Sequence, residues 1–225
     1  MTVILVLLTF AIFAVIDYAL SRSKNPRLVV EKPHNAILPP TDPSVAFIDG
    51  FAIPDRMRYH AGHAWALTER KQVQRVGIDE FAACIAGSID TIELPKPGQW
   101  LRQGQKAWSI RRSGSQAEMV SPVEGEVLQV NEDVVKNPAL LTTDPYGKGW
   151  LMTVHVPDED NTNRNLLPAR LVPLWMRNAA EALYASQPQS AGATAADGGR
   201  PSSDLADSLT PGDWEKLTRD HFLSR

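Results

Sequence analysis

The chain has 225 residues, of which 43% are hydrophobic and 22% charged, with a formal net charge of −3 at pH 7. That length allows one medium domain with its own core plus appendages, and the near-neutral balance, without a Lys/Arg stripe or interleaved aromatic motif, gives no footing for nucleic acid. The single cysteine, Cys84, rules out an internal disulfide and any cysteine-rich metal site, and its apolar setting, Phe81 to Ile85, reads as a small buried hydrophobe.

Thr2 to Leu20 is almost continuously apolar, broken only by Asp17. At ~1.5 Å per residue such a run comes close to spanning a ~30 Å hydrocarbon layer. A cleaved signal peptide is the competing reading, but no basic residue precedes the apolar core and no small-x-small site follows it. Residues 1–21 are therefore expected to form an uncleaved single-pass anchor, with Asp17 at its interfacial end. Arg22, Lys24 and Arg27 follow directly. By the positive-inside rule they put the amino terminus outside and the domain on the cytoplasmic side of an inner or plasma membrane. Residues 22–58 are polar and proline-rich and read as an extended tether, in which Val45–Ile53 is a short apolar stretch that could dock on the domain.

The central block has strand signals. Trp65–Leu67 and Val73–Val76 flank a polar hairpin at Glu69–Lys71. A short helix is expected after Gly77, with Asp79 and Glu80 in its first turn and Gly87 as its stop. Ile89–Leu94 reads as a strand. Lys106–Arg112 and Ala117–Val120 read as two more, joined by Ser113-Gly114-Ser115, whose glycine supplies positive φ. Turn and strand continue from Ser121 to Val130, further turns fall at Asn137-Pro138 and Asp144–Gly147, and Trp150–Val156 closes the block. Asp158–Asn161 is an acidic stretch without the alternating ligands or glycine of a calcium loop, and is read as a solvated loop. Apolar residues at helical spacing predict a helix over Pro173–Ser186. Residues 188–204 are rich in Ser, Gly and Ala and read as a flexible linker. Within 205–225, Thr210-Pro211 makes a helix start, with Trp214, Leu217 and Phe222 on one face.

Seven motifs then stand in order and at the spacing of one family. They are Tyr59–Trp65, Val76–Ala82, Gly87–Pro95, Ser121–Val127, Val130-Asn131, Asn137-Pro138 and Asp144–Leu151. Each is short; together they resemble the glycine cleavage system H protein over about residues 57–156, with the helix near 173–186 similar to that family's C-terminal helix. The resemblance implies a mainly β fold, a lipoyl-domain-like flattened β-barrel or sandwich with flanking helices, over residues 59–187. It also implies a hairpin lysine, inside a Glu-Ser-x-Lys-Ala motif, bearing lipoate. In the family that lipoate takes an aminomethyl group from the decarboxylase, hands it to the aminomethyltransferase, and is reoxidised by dihydrolipoamide dehydrogenase.

Here the resemblance breaks. Counting back from Ser121-Pro122 without a gap, the family's lysine falls on Gly114 and its Glu-Ser pair on Arg111-Arg112. No lysine occurs from Ala107 to Val135, and only a primary amine can form the lipoyl amide. We therefore expect no cofactor and no enzyme activity. No nucleophile elbow or phosphate-cradling glycine loop appears. His60 and His63 lack a third ligand and are read as a structural strand, not a metal site. The expectation is a membrane-anchored, non-lipoylated scaffold or assembly subunit that binds protein through Arg111, Arg112, Ser113, Gly114 and Ser115 or through Trp214, Leu217 and Phe222, the other course for that last helix being to fold back on its own domain. The alternative is a membrane-tethered H protein that still carries aminomethyl or acyl groups.

Overall fold

The structure, a computed structural model, describes residues 44–185, 206 and 209–223. No helix among them is long and apolar enough to cross a membrane. The expected anchor at 1–21, the tether up to residue 43 and the linker at 188–204 lie outside the described residues.

In chain order the strands are β1 (Val45–Ile48), β2 (Phe51–Pro54), β3 (Arg58–Tyr59), β4 (Ala64–Arg70), β5 (Val73–Ile78), β6 (Thr91–Glu93), β7 (Trp100–Leu101), β8 (Lys106–Arg112), β9 (Ser115–Val120), β10 (Gly125–Val130) and β11 (Met152–His155). The helices are α1 (Glu80–Ala86), α2 (Glu132–Lys136), α3 (Leu140–Thr143), α4 (Glu159–Arg164), α5 (Val172–Ala185) and α6 (Pro211–Phe222). A six-stranded antiparallel sheet runs β3-β4-β5-β11-β10-β7, a three-stranded one β6-β8-β9, and β1 pairs with β2 alone. The expected mainly β fold with flanking helices is what forms.

Alternation along the strands builds the core. On the large sheet Trp65, Val76, Ile78, Val127 and Val154 are buried; on the small one Ile92, Ile110 and Met119 are, and all belong to one cluster. The Trp65 indole donates from Nε1 to the Ile78 carbonyl at 2.8 Å, and its ring lies where a Cβ on Gly77 would stand. Glycine at 77 is thus required by close packing, not by a turn.

Three expectations need correction. The tether does not reach Arg58: β1 and β2 are part of the body, with Phe51 1% and Ile53 4% exposed. Backbone and side chain pin them there. Ala52 N–H donates to Glu80 Oε2 at 2.6 Å, the Tyr146 hydroxyl to the Ala52 carbonyl at 2.6 Å, and the Tyr59 hydroxyl to the Pro54 carbonyl at 3.2 Å. Burial, the leading cause, pushes both tyrosine hydroxyls well above their usual range, so they stay neutral donors. The Asp158–Asn161 stretch is not a loop but the start of α4, because Asp158 caps it by accepting from Asn161 N–H at 3.0 Å and acidic residues suit a helix N-terminus. His60 to His63 is a turn after β3, not a strand, with His63 at φ 61°.

The remaining boundaries shift little. The strand expected at 89–94 shrinks to β6, α5 starts one residue before Pro173, and α6 begins at Pro211 with the Thr210 side chain accepting from Asp213 N–H at 3.3 Å.

Candidate functional site

β8 and β9 form a tight hairpin in the register Arg112↔Ser115. Its two turn residues, Ser113 at φ 48° and Gly114 at φ 86°, both lie in the left-handed region, as the preferred two-residue hairpin turn demands. Ser115 is the first residue of β9, so the turn is one residue shorter than the Ser-Gly-Ser reading. Ser113 is held there by Asp90, whose Oδ2 accepts its N–H at 2.7 Å. A Cβ at Gly114 would meet nothing; the tip is open and has no amine. The only lysine on the hairpin, Lys106, is six residues from Arg112, about 20 Å along an extended strand, and its Nζ is paired with Glu118.

Adjacent arginines take opposite faces, as strand geometry requires. Arg111 is solvent-facing and pairs with Glu93 Oε1 at 3.2 Å. Arg112 turns inward, 8% exposed, with its guanidinium 6.0 Å from the centre of the Trp214 ring. Ser115 is equally buried. Of the five hairpin residues, therefore, Arg111, Ser113 and Gly114 present an open surface, while Arg112 and Ser115 belong to the packing beneath it. Asp90 and Glu93, which support the tip, were missed in the sequence because their partners lie some twenty residues downstream.

The C-terminal residues decide between the two courses expected of the last helix. Trp214 is 1% exposed and Phe222 0%, and the Trp214 Nε1 donates to the carbonyl of Ile85, in the last turn of α1, at 2.9 Å. Thr218, one turn on, is also buried, and Leu217 packs at the margin. So α6 folds back on its own domain, and Trp214 and Phe222 are not available as exposed anchors. The reason is chemical: an α1 carbonyl otherwise lacking a helical partner takes the indole N–H, and the three side chains at i, i+4 and i+8 make one stripe.

Under α6 lies an aromatic stack. The His63 ring sits between Phe81 at 4.2 Å and Trp175 at 4.4 Å, and its Nδ1 meets Asp79 Oδ2 at 2.9 Å with both groups buried. A carboxylate only accepts, so the ring donates. His221 of α6 closes the stack edge-on to Phe81 at 5.0 Å. No group of three or more His, Cys, Asp or Glu among the described residues is placed to hold a metal. Burial of His221, then the neighbouring His63, lower its pKa to about 4. Protonation is thus resisted in the docked helix but not in the free one. Docking is then fully favourable above the ordinary histidine range near 6.5 and weakens as pH falls from there towards 4. The protection factors of the α6 amides, in which the slowing of intrinsic exchange with falling pH is divided out, should drop over that interval, and His221→Gln, which cannot charge, should flatten the dependence. Burial likewise pushes the Cys84 thiol up to about 11, in keeping with an inert side chain.

The family profile described as Glycine cleavage H-protein matches residues 57–172. The glycine cleavage system H protein of Mycobacterium leprae is 37% identical over 106 residues, covering 47% of this chain and 80% of that protein. That of Streptomyces coelicolor is 36% identical over 106 residues, covering 47% and 85%. A crystal structure of a glycine cleavage system H protein from Mycobacterium marinum is 29% identical over 47% of this chain and 87% of that one, at a TM-score of 0.44.

Proposed function

The chain belongs to the glycine cleavage H-protein family, and from that premise we propose that it is a non-lipoylated H-type module which serves as a scaffold or subunit of a membrane-associated assembly. One observation carries the reading: the hairpin tip consists of Ser113 and Gly114, with no amine in reach. A swinging carrier needs a lysine that stands clear of the sheet, and Lys106 sits at the far end of β8 in an ion pair. What the tip does offer is the Arg111 guanidinium, turned outward, beside a backbone turn held rigid by Asp90. That is a surface for contacting an acidic protein partner, not for covalent chemistry, and no catalytic role is assigned.

The membrane part of the proposal rests on the apolar run Thr2–Leu20 and the basic residues Arg22, Lys24 and Arg27 after it, which favour a single-pass anchor with the domain on the cytoplasmic side. The full chain, coexpressed with a lipoate ligase and recovered from carbonate-washed membranes, should show its unmodified mass. An added lipoyl group would return the protein to the carrier role, and recovery only in the soluble fraction would remove the anchor while leaving the hairpin reading intact.

A further inference from the structure

β9 stands at the edge of its sheet, paired with β8 on one side and, among the described residues, with no strand on the other. With six residues it is the longest edge strand among those described. Because Arg112 and Ser115 close a two-residue turn, the hydrogen-bonded pairs alternate from there, and Gln116 and Glu118 turn their backbone N–H and C=O groups away from β8. Such a row of unpaired groups is a template for another strand unless something covers it.

What covers it is α6. Gln116, Ala117 and Glu118 in succession, with Lys106 of β8 beside them, line a groove of about 320 Å³ with Glu215, Thr218 and Arg219 of the helix. Successive side chains of a strand point to opposite faces, so a helix that borders three in a row lies along the edge and not on one face. Trp214 fastens one end at Ile85 and Arg112. The last turn fastens the other, where the Phe222 carbonyl and the Val120 side chain both crowd Gly62. The helix lies outside the residues matched by the family profile. It is short, and alone it would be marginally stable, so its hold depends on those anchors.

We infer that α6 is a guard on the β9 edge, and that the surface it covers is a strand-pairing site whose occupant, once α6 lifts, is β9 of a second copy of this chain. The edge is self-complementary. An antiparallel two-fold pairing centred on Ala117 sets Gln116 of each copy opposite Glu118 of the other. Both are outward-facing pairs, so all four outward N–H groups find carbonyls. The central residue of that register is a small alanine, and the two Glu118 side chains do not stand opposite each other.

The test is made on the full chain in detergent, with Trp214→Ala to loosen α6 and Thr218→Arg as a second variant that pushes it off without touching the domain core. Amide exchange at Gln116 and Glu118 is expected to slow by at least about tenfold as protein concentration rises, the protection of a strand hydrogen bond, while a dimer appears on cross-linking. Adding Gln116→Pro, which removes an outward donor, should abolish both effects. Faster exchange that is independent of concentration, or dimers that survive Gln116→Pro, would overturn the inference.

Discussion

Trp65→Ala should destabilise the domain by about 3–5 kcal/mol, the usual range for deleting a buried tryptophan whose cavity cannot collapse. The residue is fully buried, its ring 6.4 Å from Tyr146 and filling the space that a Cβ on Gly77 would need. Its N–H leaves the Ile78 carbonyl unpartnered when it goes. Urea unfolding should show the loss as a lower midpoint with little change in slope. The pairing with Gly77 makes a sharper check. Gly77→Ala alone drives a methyl into the indole and should cost about 1–3 kcal/mol. In the Trp65→Ala background the same methyl enters vacant space, so the double mutant should be more stable than the two single losses added together. Additive losses would show that the ring and the glycine do not share the space described.

Asp79→Ala should have an effect of similar size, about 3–5 kcal/mol, by a different route. The Asp79 carboxylate accepts from His63 Nδ1 through one oxygen and caps α1 through the other, which takes the Ala82 N–H at 2.8 Å. Removing an N-cap costs ~1 kcal/mol. Most of the rest comes from His63, left with a buried N–H and no acceptor between two aromatic rings. Because that stack spans α1, α5 and α6, the damage should extend to the C-terminal helix. Hydrogen exchange in α6 should therefore rise together with that in α1. Asp79→Asn keeps one acceptor oxygen and can serve only one of the two donors at a time, so its loss should fall between wild type and alanine. If Asp79→Ala lowers the unfolding midpoint by no more than a lost cap would, the His63 pairing contributes nothing net.

Much of the fold could be read in advance, for local reasons. Alternating strands, the Asp79 helix start, the glycine stop at Gly87 and the Ser113-Gly114 turn are written in residues within a few positions of one another, where backbone preference and hydrophobic period act directly. The absence of a hairpin amine is likewise a property of sequence alone, as are the opposite faces of Arg111 and Arg112. Most of what escaped depended on distance along the chain. The Val45–Ile53 stretch is short and proline-flanked, legible as a segment that could dock, but where it docks was decided by Glu80 and Tyr146, which grip Ala52 from 28 and 94 residues away. Asp158 caps α4 by a purely local bond, but the run of acidic residues masked the helix as a solvated loop. The stripe Trp214, Leu217 and Phe222 was legible as amphipathic, yet an apolar face does not say what it faces. That was decided by the Ile85 carbonyl, 129 residues away, and by the uncovered edge of β9. Periodicity determines that a surface must be buried; only the tertiary structure, which brings together donors, acceptors and edges remote in sequence, decides against what.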